Sequence, residues 1–153
     1  MNNLYLRARL AGRDIAIPAA CVESVVKISD IVPVPAVSPH IAGLFALRSR
    51  VLTIVDCAWF IHGSKGDIAD TSLAIVVTID NHHYGLLVDA VDDILTIDSD
   101  PVAATGGVGR GWDMLGDTML HVDDAIEAAR SLLVLDVANA VNPPPSAAAG
   151  LAA

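Results

Sequence analysis

The sequence predicts a mainly β protein built from two similar small β-structures. Three observations carry that expectation. Residues 12–28, GRDIAIPAACVESVVKI, are echoed by residues 81–97, NHHYGLLVDAVDDILTI, so that Ile15, Ile17, Val22, Glu23, Val25, Val26 and Ile28 fall on Tyr84, Leu86, Val91, Asp92, Ile94, Leu95 and Ile97. A second echo, in the same order, sets residues 51–58, VLTIVDCA, against residues 118–125, TMLHVDDA. Between the echoes the chain is a series of short alternating apolar runs broken by turn residues, a pattern of closely spaced strands rather than of βαβ units. The spacing of the echoes is too long for a solenoid repeat and reads as a duplication.

The elements follow in order. Residues 4–10, LYLRARL, alternate as a strand; residues 11–13 turn; residues 14–17 return. Pro18 is tolerated at the first position of a helix, and the spacing of Val22, Val25 and Val26 predicts a short helix over 19–26 with a buried valine stripe. Residues 31–35, IVPVP, alternate with prolines that lack an amide donor, which restricts them to an edge strand or an extended loop. Ser38-Pro39 reads as the cap and first turn of a short helix through residue 41. Residues 44–48 and 51–55 read as strands around a tight turn at Ser49-Arg50. Asp56 is placed to cap a short helix over 57–61 that ends near Gly63. Residues 62–70, HGSKGDIAD, read as a linker.

In the second half, residues 73–79 and 83–88 flank a turn at Asp80-Asn81, and residues 89–97 repeat the earlier apolar spacing as VDDIL. Residues 98–111 read as a long loop. Residues 114–122 read as a hairpin turning at Gly116-Asp117, and Asp123 as the cap of a helix over 124–133. The proline- and alanine-rich residues 143–153 read as a disordered tail.

Composition narrows the class. Apolar residues make up 54% of the 153 and aromatics only 4%, so the core is aliphatic. No apolar run approaches the roughly 20 residues of a membrane span. Arginines interrupt the apolar N-terminal stretch, which reads as a strand and not a signal peptide. Cys21 and Cys57 lack any paired spacing and read as small apolar fillers in a reducing cytoplasm. The net charge of −9 argues against nucleic-acid binding. Residues 1–65 hold seven Lys/Arg against four Asp/Glu, and residues 66–153 two against fourteen. That split leads to the expectation of two surfaces with different salt sensitivity.

No catalytic, metal or cofactor site is predicted. Asp113, Asp117 and His121 recur every four residues, but the turn at 116–117 breaks any shared helical face, and the second echo places His121 on a barrel wall. His82 and His83 point to opposite faces of a strand. Residues 106–111, GGVGRG, lack the Lys-Ser/Thr of a phosphate loop. Arg48 stands out as one of two charges within LFALRSRVLTIV, residues 44–55. Ile31, Val32 and Val34 lie on the proline-broken edge, where apolar side chains can dock a partner or pack in the core. Val22 and Val25 read more readily as core.

The run from IVPVP through HIAGLFALRSRVLTIVDC resembles the CheW-like family of chemotaxis coupling proteins. Pro33-Val34-Pro35, Ile41, Gly43, Leu44, Leu47-Arg48, Val51-Leu52 and Ile54-Val55-Asp56 stand at the family's positions. Upstream, residues 15–25 match an apolar strand followed by V-x-E-V. Downstream, Gly85-Leu86-Leu87-Val88-Asp89 matches G-L-x-V-D, and Leu120-His121-Val122-Asp123 is taken as the closing L-L-D-L. The resemblance covers roughly residues 3–130. Departures are Ser24 for Glu, His40 for an aromatic, Ala46 for Asn, Ser49 for Gly, Thr53 for Pro, and His121 within L-L-D-L.

The resemblance implies one domain over residues 1–142. Two SH3-like five-stranded β-barrel subdomains, about 14–65 and 71–130, would share a hydrophobic core, with short helices and with the terminal segments completing the barrels. It implies a non-enzymatic adaptor that couples methyl-accepting chemoreceptor tips to the regulatory domain of a CheA-type histidine kinase. Such an adaptor would be cytoplasmic, at membrane-associated receptor arrays, without cofactor, nucleic acid or membrane insertion. The partner-binding residues it implies are Arg48, with Leu47, Ser49, Ile31, Val32, Val34, Val22 and Val25. The departures leave open a divergent regulatory or competing scaffold module serving another histidine-kinase pathway.

Overall fold

The computed structural model describes residues 3–35, 38–63, 72–97, 100–104, 111–122 and 130–143. Eleven strands are described: β1 (Asn3–Leu10), β2 (Arg13–Pro18), β3 (Val22–Ile28), β4 (Ile41–Leu47), β5 (Arg50–Val55), β6 (Ser72–Ile79), β7 (His82–Val88), β8 (Ala90–Ile97), β9 (Val102–Ala103), β10 (Thr118–Val122) and β11 (Arg130–Val134). Two short helices, α1 (Trp59–His62) and α2 (Val137–Val141), follow β5 and β11. The strands form two sheets, ordered β3-β6-β7-β5-β4 and β8-β1-β2-β11-β10-β9. The chain is mainly β, with two SH3-like sheets whose edge strands are not hydrogen-bonded to each other among the described residues.

The first echo is real in three dimensions. Hairpins β1–β2 and β6–β7 turn at Ala11-Gly12 and Asp80-Asn81, equivalent residues under the echo, and all four have φ between 49° and 80°. Positive φ at both central positions is the tight turn whose twist suits a two-residue hairpin. After each hairpin the next strand leaves its own sheet. β3 crosses to pair with β6, and β8 crosses back to pair with β1. The two lobes are thus built by exchange: the first sheet spans residues 22–88, while the second combines residues 3–18 with residues 90–134.

Because the hairpins lie at the centre, their strands are covered on both faces, which is why β2 and β6 read as continuous apolar runs rather than alternating ones. Leu6, Leu10, Ile15 and Ile17 meet Ile75, Val77, Leu86 and Val88 in a core shared by both sheets, capped by Trp59 and Phe60 of α1 and Val137 and Val141 of α2. Each lobe keeps a smaller interior of its own. One holds Ile28, Leu52, Ile54, Ala74 and Val76; the other holds Tyr5, Ala16, Ile97, Leu120 and Leu132.

Several expectations are corrected. Residues 19–26 are not a helix: a single 3-10 turn, Ala19–Cys21, leads into β3. The ladder pairs Val22 with Val77 and Ser24 with Val76, so Glu23 is an extra, bulged residue. The bulge sends Val22 to the shared core and Val26 and Ile28 to the lobe interior. Valines three and four apart therefore imitate a helical stripe. The turn after β4 is Arg48-Ser49, one residue earlier than expected, with Leu47 opposite Arg50. Residues 38–40 form a turn closed by the Ile41 amide donating to the Ser38 carbonyl at 2.9 Å, not a helix. Helix α1 starts after Ala58 and ends on Gly63, φ 72°, with Asp56 contributing its backbone carbonyl to the Trp59 amide.

Residues 114–122 are not a hairpin. A 3-10 turn, Trp112–Met114, precedes β10, and Gly116 lies against the Val134 carbonyl, where a Cβ would stand 2.2 Å away. Residues 130–134 are strand, so no helix runs to 133; residues 123–129, the 64–70 part of the linker, residues 98–99 and 105–110 of the loop and residues 144–153 of the tail lie outside the described residues. Cys57 is buried and its thiol is pushed up to about 12 by desolvation, whereas Cys21 is exposed and is no filler.

The second echo is misplaced. Ile54 pairs with Gly85 on β7, and Val134 pairs with Ala16, the equivalent of Gly85, on β2. Residues 51–57, VLTIVDC, therefore correspond to residues 131–137, SLLVLDV. His121 is not at the position of Ile54; it lies on β10, where its Nδ1 and the Ser131 hydroxyl are 2.9 Å apart. The charge split between sequence halves does not separate the lobes either, because Arg7, Arg9 and Arg13 join the sheet that holds Asp92 and Asp93.

Candidate functional site

A groove of about 560 Å³ lies between the edge strand β3 and the β4–β5 turn, lined by Glu23, Ser24, Val25, Val26, Leu47, Arg48, Ser49 and Arg50. β3 and β4 are the two edges of the five-stranded sheet. The groove is the seam where that sheet curls round without closing. Arg50 of β5 forms an ion pair with Glu23 of β3 across it. The other Glu23 oxygen accepts from the Thr78 hydroxyl at 2.9 Å and stands 3.2 Å from His83 Nδ1. These bonds, Arg50 first and Thr78 second, hold the Glu23 carboxyl below its ordinary value. A charge-assisted pair of this kind fixes geometry as well as charge.

Arg48 is exposed at the first position of the turn, with φ 56°, a conformation that side chains other than glycine adopt at some cost. Among the described residues it has no ion-pair partner. Leu47 is half-buried against the lobe interior that holds Leu52 and Ile54. Ser49 and Val25 are exposed on the groove. Four of the residues singled out by sequence thus converge on one groove, and Val25 is surface rather than core.

The other four lie apart. Val22 packs on the shared core and borders a shallower depression of about 310 Å³ with Ala20, Cys21, Glu23, Thr78 and His83. Val32 is 62% exposed, and its amide and carbonyl pair with Leu44 at 2.8 and 2.9 Å along the outer edge of β4. Ile31 and Val34 are half-buried there. Gly43 is obligatory at this crossing, since a Cβ would stand 2.4 Å from the Val32 carbonyl. Glu23 and Arg50 were not foreseen as site residues. A lone carboxylate in the apolar run 22–28, with a second arginine just past the turn, was the available signal.

The groove carries cations and aliphatic surface, and the described residues around it contain no grouping of His, Cys, Asp or Glu suited to a metal ion. The CheW-like domain pattern matches residues 4–143. The chain belongs to the CheW-like domain family. It is 28% identical over 131 residues to the chemotaxis protein CheW of Bacillus subtilis strain 168, across 85% of this chain and 80% of the relative. It is 30% identical over 81 residues to the chemotaxis protein CheW of Rhizobium meliloti strain 1021, across 53% of this chain and 52% of that one. The crystal structure of the scaffolding protein TtCheW from Thermoanaerobacter tengcongensis matches with a TM-score of 0.74 at 21% identity, covering 89% of this chain and 90% of that one, and so has the same fold. The family is one of chemotaxis scaffold proteins. No helix among the described residues is long and apolar enough to cross a membrane.

Proposed function

We propose that this CheW-like chain is a non-enzymatic adaptor that couples methyl-accepting chemoreceptor tips to the regulatory domain of a CheA-type histidine kinase, in the cytoplasm at membrane-associated receptor arrays. The observation that carries the reading is the groove itself. An arginine without an ion-pair partner among the described residues, Arg48, stands beside Val25 and Leu47, in the Leu47-Arg48 pair that the sequence resemblance sets at the family's Leu-Arg. A guanidinium next to aliphatic surface can fix a partner's carboxylate or carbonyl in a set orientation while the apolar side chains supply buried area. Ile31, Val32 and Val34 offer further apolar side chains along the outer edge of β4, and Val22 and Ser49 complete the set. Two separate surfaces on one rigid frame let the protein transmit a change in geometry or occupancy without chemistry of its own.

The test is a pull-down of the purified cognate kinase regulatory domain and of the receptor's cytoplasmic tip fragment by wild type and by Arg48→Ala. The adaptor reading expects wild type to capture both and Arg48→Ala to lose at least one. A wild type that captures neither refutes it and favours a scaffold module serving another histidine-kinase pathway, a reading for which the departures at Ser24, Ala46 and Ser49 speak.

A further inference from the structure

The Arg50–Glu23 pair sits inside the groove just described, and its two side chains are half-exposed to solvent, 50% and 36%. Glu23 is therefore a carboxylate already seated where a partner's carboxylate would come. It is anchored on its other oxygen by Thr78 and lies beside His83. The bulge at Glu23 is what turns this side chain to the seam, out of the alternation of β3. Arg48, two residues along the chain and on the same rim, has no such ligand among the described residues. The groove thus holds two guanidiniums, one open and one occupied by the protein's own acid.

Resting on the adaptor reading, the geometry points to Glu23 as an internal competitor: the groove takes a helical segment of the receptor tip that presents a carboxylate beside aliphatic side chains, and Glu23 contests that carboxylate's hold on Arg50. Charge complementarity commits the occupant to an acidic face, since both cations of the groove line one rim. Val25, exposed on the opposite wall, suits the anchoring side chain of an amphipathic helix. A partner that displaces Glu23 gains a bidentate arginine and leaves Glu23 to Thr78 and His83. Glu23 therefore sets both the affinity and the salt dependence of the site without touching the partner in the bound state.

The discriminating experiment measures binding of the receptor's cytoplasmic tip fragment to wild type, Glu23→Gln and Arg50→Gln over a range of salt, with circular dichroism to verify folding. Glu23→Gln is expected to bind about two- to fivefold tighter, the worth of one exposed ion pair, with a steeper loss of affinity as salt rises. Arg50→Gln is expected to bind more weakly, because it removes a cation and frees an acid. A clamp that is only structural predicts that both variants weaken binding alike, since both break the same link. That result, or no change in either, overturns the inference and leaves the adaptor reading standing. Failure of wild type to bind the fragment while binding the kinase domain removes the inference and, because the adaptor must capture both, the adaptor reading with it. Failure to bind either partner removes both.

Discussion

The two lobes share one frame and spend it differently. Glu23 and Asp92 are equivalent acids on equivalent bulged edge strands, β3 and β8. Around Glu23 stand Thr78 and His83; at the matching positions around Asp92 stand Arg9 and Asp14. Asp92 is met by Arg7 at 3.7 Å, and Arg7 and Arg9 each reach Asp14 at 3.5 Å. That cluster lies within the three neighbouring strands β8, β1 and β2. In the first lobe the cation comes from β5, across the open seam, and the link defines a groove. One scaffold thus holds an acid either by a neighbour in the sheet or by an opposing edge. Only the second arrangement creates a cleft whose width depends on an ion pair.

The largest expected effect tests whether the lobes are separable at all. Leu86 and Ile17 are equivalent, fully buried residues on the two central hairpins, both in the shared core. Leu86→Ala and Ile17→Ala should each cost about 2–5 kcal/mol. Urea unfolding followed by far-UV circular dichroism and by tryptophan fluorescence should remain one coincident transition for both. Two separated transitions would break the lobe comparison into two independent domains.

Smaller is the loss at Asp136, the equivalent of Asp56, which accepts from the Asn139 amide at 3.1 Å and starts α2. Asp136→Ala should cost about 1 kcal/mol in the same assay, as expected for a lost helix cap. Arg48→Ala should change stability by less than about 0.5 kcal/mol, because the side chain is exposed and alanine meets the same backbone angle. Any loss of partner capture by that variant then belongs to the surface and not to the fold.

The smallest expected effect is a pH dependence. Glu23 is held below its ordinary carboxylate value in the folded state, first by Arg50 and then by Thr78, so its network stabilises fully above the unfolded value and is lost as pH falls through the lower folded one. Glu23→Gln lacks that contribution at every pH. The stability difference between wild type and variant should therefore shrink on acidification, read from urea midpoints at falling pH. A difference that stays constant would show that the acid contributes nothing through its charge.

Much of this architecture was legible because the duplicated hairpins kept their length. Residues 12–28 and 81–97 align without a gap, down to the two turn residues of each hairpin. The second match was hidden by length. Between β4 and β5 lie only Arg48 and Ser49, whereas residues 123–129 separate β10 from β11, and the eye accepts the nearer VD pair over the true partner at 135–136. Local spacing misled wherever a bulge shifted the phase of a strand, as at Glu23. The groove was half visible. Arg48, Leu47, Ser49 and Val25 are chosen by pattern, but the partnership of Glu23 with Arg50 joins strands that are not neighbours in either sequence or sheet, and only the curl of the sheet brings it about.

The strand exchange has a consequence for synthesis. The β1–β2 hairpin leaves the ribosome well before its flanking strands β8 and β11, which end at Ile97 and Val134. At typical elongation rates that gap lasts roughly ten seconds. During that interval two apolar strand edges, rich in leucine and isoleucine, have no cover from their own chain. Nascent chains halted before β11 should accordingly engage holdase chaperones, and release should come only once β11 has emerged to close that hairpin.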